Sequence, residues 1–245
     1  MFPSAHIDTF ARDNLPAESS WPEFRFDLPA LDYPATLNAA AELLDRQVDA
    51  GHGDRNAVIG TDDLWTYREL QSMVNRIANV LVHEAGIQPG NRVLLRFPNS
   101  PFFAACYLAV LKCGAVAVPT MPLLRKAELS VIIDKAKIEY AICDSNLLAE
   151  VESFGFSRFY SSDELRYLAD SSNGDFDTVE TASDDVALIA FTSGTTGKPK
   201  GCMHFHRDIL AMCDTFSAEV LKPRPDDVFI GSPPLAFRVQ RFFCD

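Results

Sequence analysis

A near-continuous apolar run, Val186–Thr192, passes straight into a glycine-dense segment at residues 191–201 (FTSGTTGKPKG). A strand with no polar face has nothing to show to water. It belongs in a parallel sheet covered on both faces. The segment that follows leaves the strand's C-terminal end, where open parallel sheets place ligand loops. Gly194, Gly197 and Gly201 permit positive φ and close backbone approach, Thr192, Ser193, Thr195 and Thr196 carry hydroxyls, and Lys198 and Lys200 add positive charge. Successive amides in such a loop form a concavity for anions. The plain alternative is a surface turn rich in Gly, Ser and Thr. The density of donors reads as a polyphosphate cradle.

Spacing excludes two common phosphate loops. A Walker A loop needs four residues between its glycines and then Gly-Lys-Ser/Thr opening a helix. Here Thr195 and Thr196 alone separate Gly194 from Gly197, and Pro199 follows Lys198. Proline disfavours helical geometry at the residue before it. The dinucleotide pattern G-x-G-x-x-G is absent from the sequence.

The rest of the chain keeps a strand–helix rhythm. Residues 92–97 read as a strand, 101–112 as a helix, 115–118 as a buried strand, 126–137 as a second helix and 140–143 as a further strand. The pattern continues more weakly at 147–154, 158–160 and 163–169; 202–205 reads as the next strand and 209–221 as a buried helix. This alternation argues for an α/β fold, a mostly parallel sheet flanked by helices. Upstream, 39–49 has helical character and 57–60 with 64–66 suits a short β pair. Thr66 and Glu69 match a capping box. Leu70, Met73, Val74, Ile77 and Leu81 then share one helical face, and Gly86 suits a C-cap. Five stretches are expected, with the limits at 37 and 237 set by the family resemblance described below: an irregular lead-in (1–36), a first α/β subdomain (37–170), an acidic linker (171–185), the start of a second subdomain with the phosphate loop (186–237) and an aberrant tail (238–245).

Hydrophobic content of 47% excludes wholesale disorder, and a net charge of −12 argues against nucleic acid or an anionic membrane surface as partner. The six cysteines show no C-x-x-C pair and no metal-finger spacing, so packed, reduced thiols and no metal site are expected. The longest apolar stretch, 102–118, is broken by Lys112 and is too short to span a bilayer. The N-terminus lacks a secretory signal pattern. The balance points to the cytoplasm.

The segment 192–201 matches in full the signature T-S-G-T-T-G-x-P-K-G. TYREL at 66–70, NSPFFAACYLAVLKCGAVAVP at 99–119, His206-Arg207-Asp208 and SPPLAF at 232–237 add to it. In these motifs, over 37–237, the chain resembles the adenylate-forming (AMP-binding) superfamily. The stretches YPATLNAAAELLD, TMPLLRKAEL and KGCMHFHRDILAMCDTF resemble most its benzoate- and 2-aminobenzoate-CoA ligases. The resemblance implies the N-terminal region of that family's fold. It places ATP phosphates on Thr192, Ser193, Gly194, Thr195, Thr196 and Gly197, with Lys198 and Lys200 balancing charge. The alternative for either lysine is a solvated loop side chain. The implied reaction is attack of a small aromatic carboxylate on the α-phosphorus of ATP, with Mg²⁺, and transfer of the acyl group to coenzyme A. His206 and Phe237 become acid-pocket candidates. The alternatives are a helix-entry role for His206, beside Asp208 in the first turn, and a core position for Phe237. His204 reads as a packed strand histidine.

After Phe237 the family pattern stops. Its adenine-binding motif, its ribose-binding Asp and its catalytic Lys are not found in RVQRFFCD, so no catalytic residue is assigned. The abrupt change reads as a frameshift or truncation. An incomplete chain of this kind is expected not to complete ligation alone and, with strand edges and apolar surface uncovered, to be poorly soluble or partly folded. Two other readings stay open: a stand-alone nucleotide-binding module, and one half of a split enzyme.

Overall fold

A computed structural model describes residues 1–61, 63–192 and 199–231. A short helix, α1 (Phe10–Asp13), precedes a helical stretch at 39–52 that contains two π-helical segments, Ala41–Asp45 and Val48–His52. Strands β1 (Asn56–Ile59) and β2 (Leu64–Thr66) pair antiparallel. Helix α2 (Tyr67–Asn79) starts where expected: Thr66 Oγ1 accepts the Glu69 N–H at 3.2 Å, and Glu69 Oε2 accepts the Thr66 N–H at 2.8 Å. Such a cap contributes roughly 1 kcal/mol. The helical path ends at Gly86, whose φ of 72° lets the Ile87 N–H return to the Leu81 carbonyl at 2.9 Å.

The main sheet then forms from β3 (Arg92–Arg96), β4 (Val116–Thr120), β5 (Tyr140–Cys143), β6 (Arg158–Ser161), β7 (Val186–Thr192) and β8 (Lys200–Phe205), in the order β6-β5-β3-β4-β7-β8. All neighbours are parallel except β7 and β8, which make an antiparallel hairpin at one edge. The crossovers are α3 (Pro101–Lys112), α4 (Lys126–Ala136) and α5 (Ser162–Asp170), and α6 (His206–Met212) follows β8. α3 is buried along its whole length, which explains an apolar run without helical periodicity. One core lies on the side of α2, α3 and α5, and the other on the side of α4. The expected parallel α/β sheet covered on both faces is borne out.

Three segments differ from their expected character. Residues 1–9 are irregular and lead into α1, yet the segment is firmly attached. Phe2 N–H reaches the Asp184 carboxylate (3.0 Å), Ala5 N–H reaches Asp185 (3.0 Å), and Ile7 and Asp8 N–H both reach the Pro89 carbonyl (3.0 Å). Gly90, at φ 89°, lies under this strap: an added Cβ would stand 2.1 Å from the Asp8 carbonyl oxygen. The acidic stretch 171–185 runs from the end of α5 to the start of β7, and Thr181, Ser183, Asp184 and Asp185 within it are buried. Asn75 and Asn79 of α2 bond its backbone carbonyls at Gly174 (2.8 Å), Asn173 (3.0 Å) and Asp175 (2.8 Å), so the stretch is tied to α2. Beyond α6 the chain continues as a π-helical segment, Cys213–Leu221, which exposes Phe216, Val220 and Leu221 rather than burying them.

Candidate functional site

The Thr192–Lys200 end of the β7–β8 hairpin forms the candidate site. Its register pairs Ala190 with Cys202, Phe191 with Gly201 and Thr192 with Lys200. Side chains alternate between the faces of a strand, and directly opposed residues share a face. Ile189, Phe191 and Met203 pack in the core on the α4 side; Leu188 and Ala190 pack in the other. Thr192 and Lys200 therefore stand together on the face away from α4, and both are exposed. A hydroxyl and an ammonium side by side at the C-terminal end of an inner strand suit the oxygens of a phosphate. Gly201 lets the hairpin close over an aromatic ring, since an added Cβ would lie 3.0 Å from Ile189 Cγ2 and 3.3 Å from Phe191 Cζ. From the other face, Lys135 Nζ on α4 donates to the Pro199 carbonyl at 3.0 Å. Ser193, Gly194, Thr195, Thr196, Gly197, Lys198 and Phe237 lie outside the described residues.

His206 opens α6 and is fully enclosed. Its Nδ1 accepts the Ala39 N–H at 3.1 Å, while Asn38 Oδ1 accepts the Ala40 N–H at 3.0 Å. Two N–H groups at the start of the 39–52 helix are thereby satisfied. Phe205 N–H donates to Asp208 at 2.9 Å, holding the start of α6 itself. The ring thus acts where two helices begin, and it is not gathered with Thr192 and Lys200. A cavity of about 520 Å³ lined by Tyr33, Leu37, Leu43, Arg46, Leu210 and Asp214, among others, includes none of the residues singled out in the sequence. His204, opposite Leu188 on β8, is half-buried.

Burial sets the titration of this region. It drives the His206 imidazole down to about 3, helped by His6 and opposed by Asp185. Burial likewise lowers His6 against the attraction of Asp185. Both rings are therefore neutral in the folded chain. As pH falls below the ordinary histidine value of 6.5, the unfolded chain takes up these protons first, so stability declines toward the folded value near 3. The urea midpoint should fall between pH 7 and pH 5, before carboxylates titrate. A midpoint unchanged over that interval would refute the assignment. Burial also pushes the Cys106, Cys113 and Cys143 thiols up, the last to about 12, which makes them unreactive packing residues.

Some residues that shape the site gave no local sequence signal. Arg96, at the C-terminal end of β3, is buried. It donates to the carbonyls of Met121 (2.8 Å), Pro122 (2.9 Å) and Leu124 (2.9 Å), fixing the turn that leads from β4 into α4. Asp185, placed by composition in a linker, anchors the N-terminal strap just before β7.

An open, mostly parallel sheet with helices on both faces, whose inner strand β7 ends where the glycine- and hydroxyl-rich sequence begins, is a layout that nucleotide-binding α/β proteins use. The chain belongs to the AMP-binding enzyme family, whose model matches residues 44–244. It is 27% identical over 219 residues to benzoate–CoA ligase of Thauera aromatica, covering 85% of this chain and 42% of that protein. Among solved structures it resembles ATP-bound MatB from Rhodopseudomonas palustris, with a TM-score of 0.74 and 29% identity over 84% of this chain and 42% of that one. The anthranilate CoA ligase AuaEII in complex with anthranoyl-AMP shares the fold, with a TM-score of 0.74 at 22% identity over 79% of this chain and 38% of that one. The chain thus spans about two fifths of the length of these proteins.

Proposed function

We propose that this chain supplies the phosphate-binding part of an ATP-dependent aromatic-acid CoA ligase. The observation that carries the reading is the complete TSGTTGKPKG signature, which begins at the C-terminal end of β7. In the proposed reaction an oxygen of the acid's carboxylate attacks the α-phosphorus of ATP. The bond to the bridging oxygen breaks, pyrophosphate leaves, and an acyl-adenylate forms. The thiol of coenzyme A then displaces AMP. Positioning and charge neutralisation dominate such transfers. Thr192 and Lys200 would donate to phosphate oxygens, and the loop between them would supply amides and hydroxyls.

The small aromatic acid and coenzyme A are drawn from the names of similar proteins, and benzoate and 2-aminobenzoate are the first acids to try. Among the described residues no group of three His, Cys, Asp or Glu side chains is arranged for a metal. Mg²⁺ would accompany the nucleotide's phosphates and neutralise charge there. Among the described residues no helix is long and apolar enough to cross a membrane. A cytoplasmic location, and a division at 171–185 into two subdomains, belong to the same proposal.

Titration calorimetry with the 245-residue protein tests the reading. Saturable ATP binding that requires Mg²⁺ is expected, and Lys200→Met should weaken it about tenfold, the loss of one charge-assisted hydrogen bond. No binding by the unaltered chain would overturn the reading.

A further inference from the structure

Helix α4 carries Lys135 in its last turn, and the fold aims that side chain at the end of the phosphate-loop hairpin. The ammonium donates to the Pro199 carbonyl at 3.0 Å, across 64 positions of sequence. Nothing in the signature itself announces this lysine.

The base of the contact is firmly held. Leu129, Ile132 and Ala136 bury one face of α4 in the core that also contains Ile189 and Phe205 of the hairpin. Arg92, itself buried on β3, donates from Nε to the Ala136 carbonyl (3.0 Å) and from Nη2 to the Lys137 carbonyl (2.9 Å). Those are carbonyls that a helix end leaves without intrahelical partners. Asp8 holds Arg92 in turn through an ion pair. Lys137 adopts the left-handed conformation at φ 50° and stops the helix immediately beyond Lys135. The last turn of α4 is therefore tied to the central sheet, while the Lys135 side chain reaches outward to Pro199. An ammonium has three donors, so one bond to Pro199 leaves two for water or an anion. Thr192 and Lys200 stand on the face away from α4 and Lys135 arrives from the α4 face, so the hairpin end meets positive charge from both sides.

We propose that Lys135 is a positioning residue for the phosphate loop: it holds the Pro199 carbonyl, and its charge joins that of Lys200 in attracting the polyphosphate. The inference rests on the phosphate-loop reading above and deepens it. Holding the Pro199 carbonyl in place before the ligand arrives lowers the ordering cost of binding.

The test compares the unaltered chain with Lys135→Arg and Lys135→Gln, using MgATP as probe at low and at moderate salt, with thermal melting in parallel. Lys135→Gln should bind about fivefold more weakly, with a shallower salt dependence, and should melt within about 2 °C of the parent, because an exposed lysine contributes little to stability. Lys135→Arg should restore both the affinity and the salt dependence. Equal binding by the parent and Lys135→Gln would overturn the inference and leave the phosphate-loop reading standing. An equal loss in both variants would also overturn it, since charge and reach would then not be what matters. Absence of MgATP binding by the parent would remove the phosphate-loop reading, and this inference with it.

Discussion

Replacing Asp185 by alanine is expected to lower the folding free energy by about 3–5 kcal/mol and to release the first thirteen residues. The carboxylate is fully enclosed and collects four donors. Ser4 Oγ and the Ala5 N–H (3.0 Å) come from the strap, Arg12 Nη1 (2.9 Å) from α1, and the Ala182 N–H (2.9 Å) from its own turn. Without the carboxylate, the Ala182 amide loses its partner in a buried turn. Arg12 loses its close carboxylate and keeps the Phe2 carbonyl at 2.8 Å and a distant Asp184 oxygen at 3.9 Å. Leaving buried donors unpaired costs more than the net value of the bonds they made. Limited proteolysis should show new cleavage before residue 14, together with a lower urea midpoint. Parent-like protection of the N-terminus in the variant would show that the strap is held elsewhere.

Asp45→Ala is expected to cost a similar amount, about 3–5 kcal/mol, by a different route. Lys112 ends α3 in the core with 2% exposure. Its ammonium donates to Asp45 Oδ1 at 2.7 Å and to Asn75 Oδ1 at 2.6 Å. Asp45 also accepts from Gln71 (2.8 Å) and Thr178 (3.2 Å), so one carboxylate joins the 39–52 helix, α2, α3 and the 171–185 stretch. Its removal strands a buried charge. The melting temperature should fall by about 10 °C, given the entropy of unfolding of a domain of this size. Adding Lys112→Met to Asp45→Ala should recover much of the loss, because an apolar side chain of similar length needs no partner. A double variant no more stable than Asp45→Ala alone would argue against the stranded charge as the cause.

Both predictions concern residues that looked ordinary in the sequence. Lys112 interrupts an apolar run and reads locally as a reason to doubt a membrane span; its partner lies 67 positions away. Asp185 closes an acidic stretch whose composition suggests solvent. Local pattern reports which face of an element is apolar, and there it served well. The Thr66–Glu69 box, the fully buried α3 and the strand Val186–Thr192 all formed as their patterns required. It could not report that Asn75 and Asn79 would turn inward to bond the 173–175 backbone. Nor could it show that β8 would pair antiparallel at the sheet edge. His206 was legible as a histidine at a helix start, but its bond to Ala39 depends on the 39–52 helix packing against α6.

By itself, then, the sequence determined the alternation of strands and helices, the helix boundaries set by adjacent caps, and the family signature with its hydroxyls and lysines. Each of these rests on interactions among near neighbours, or on a contiguous string of residues. The tertiary structure alone decided which polar groups are buried, which acid anchors the N-terminal strap, and which lysine outside the signature reaches Pro199. The cost of removing a charge or an amide from water is repaid only by a partner, and these partners are distant in the chain. They become neighbours only when the sheet assembles.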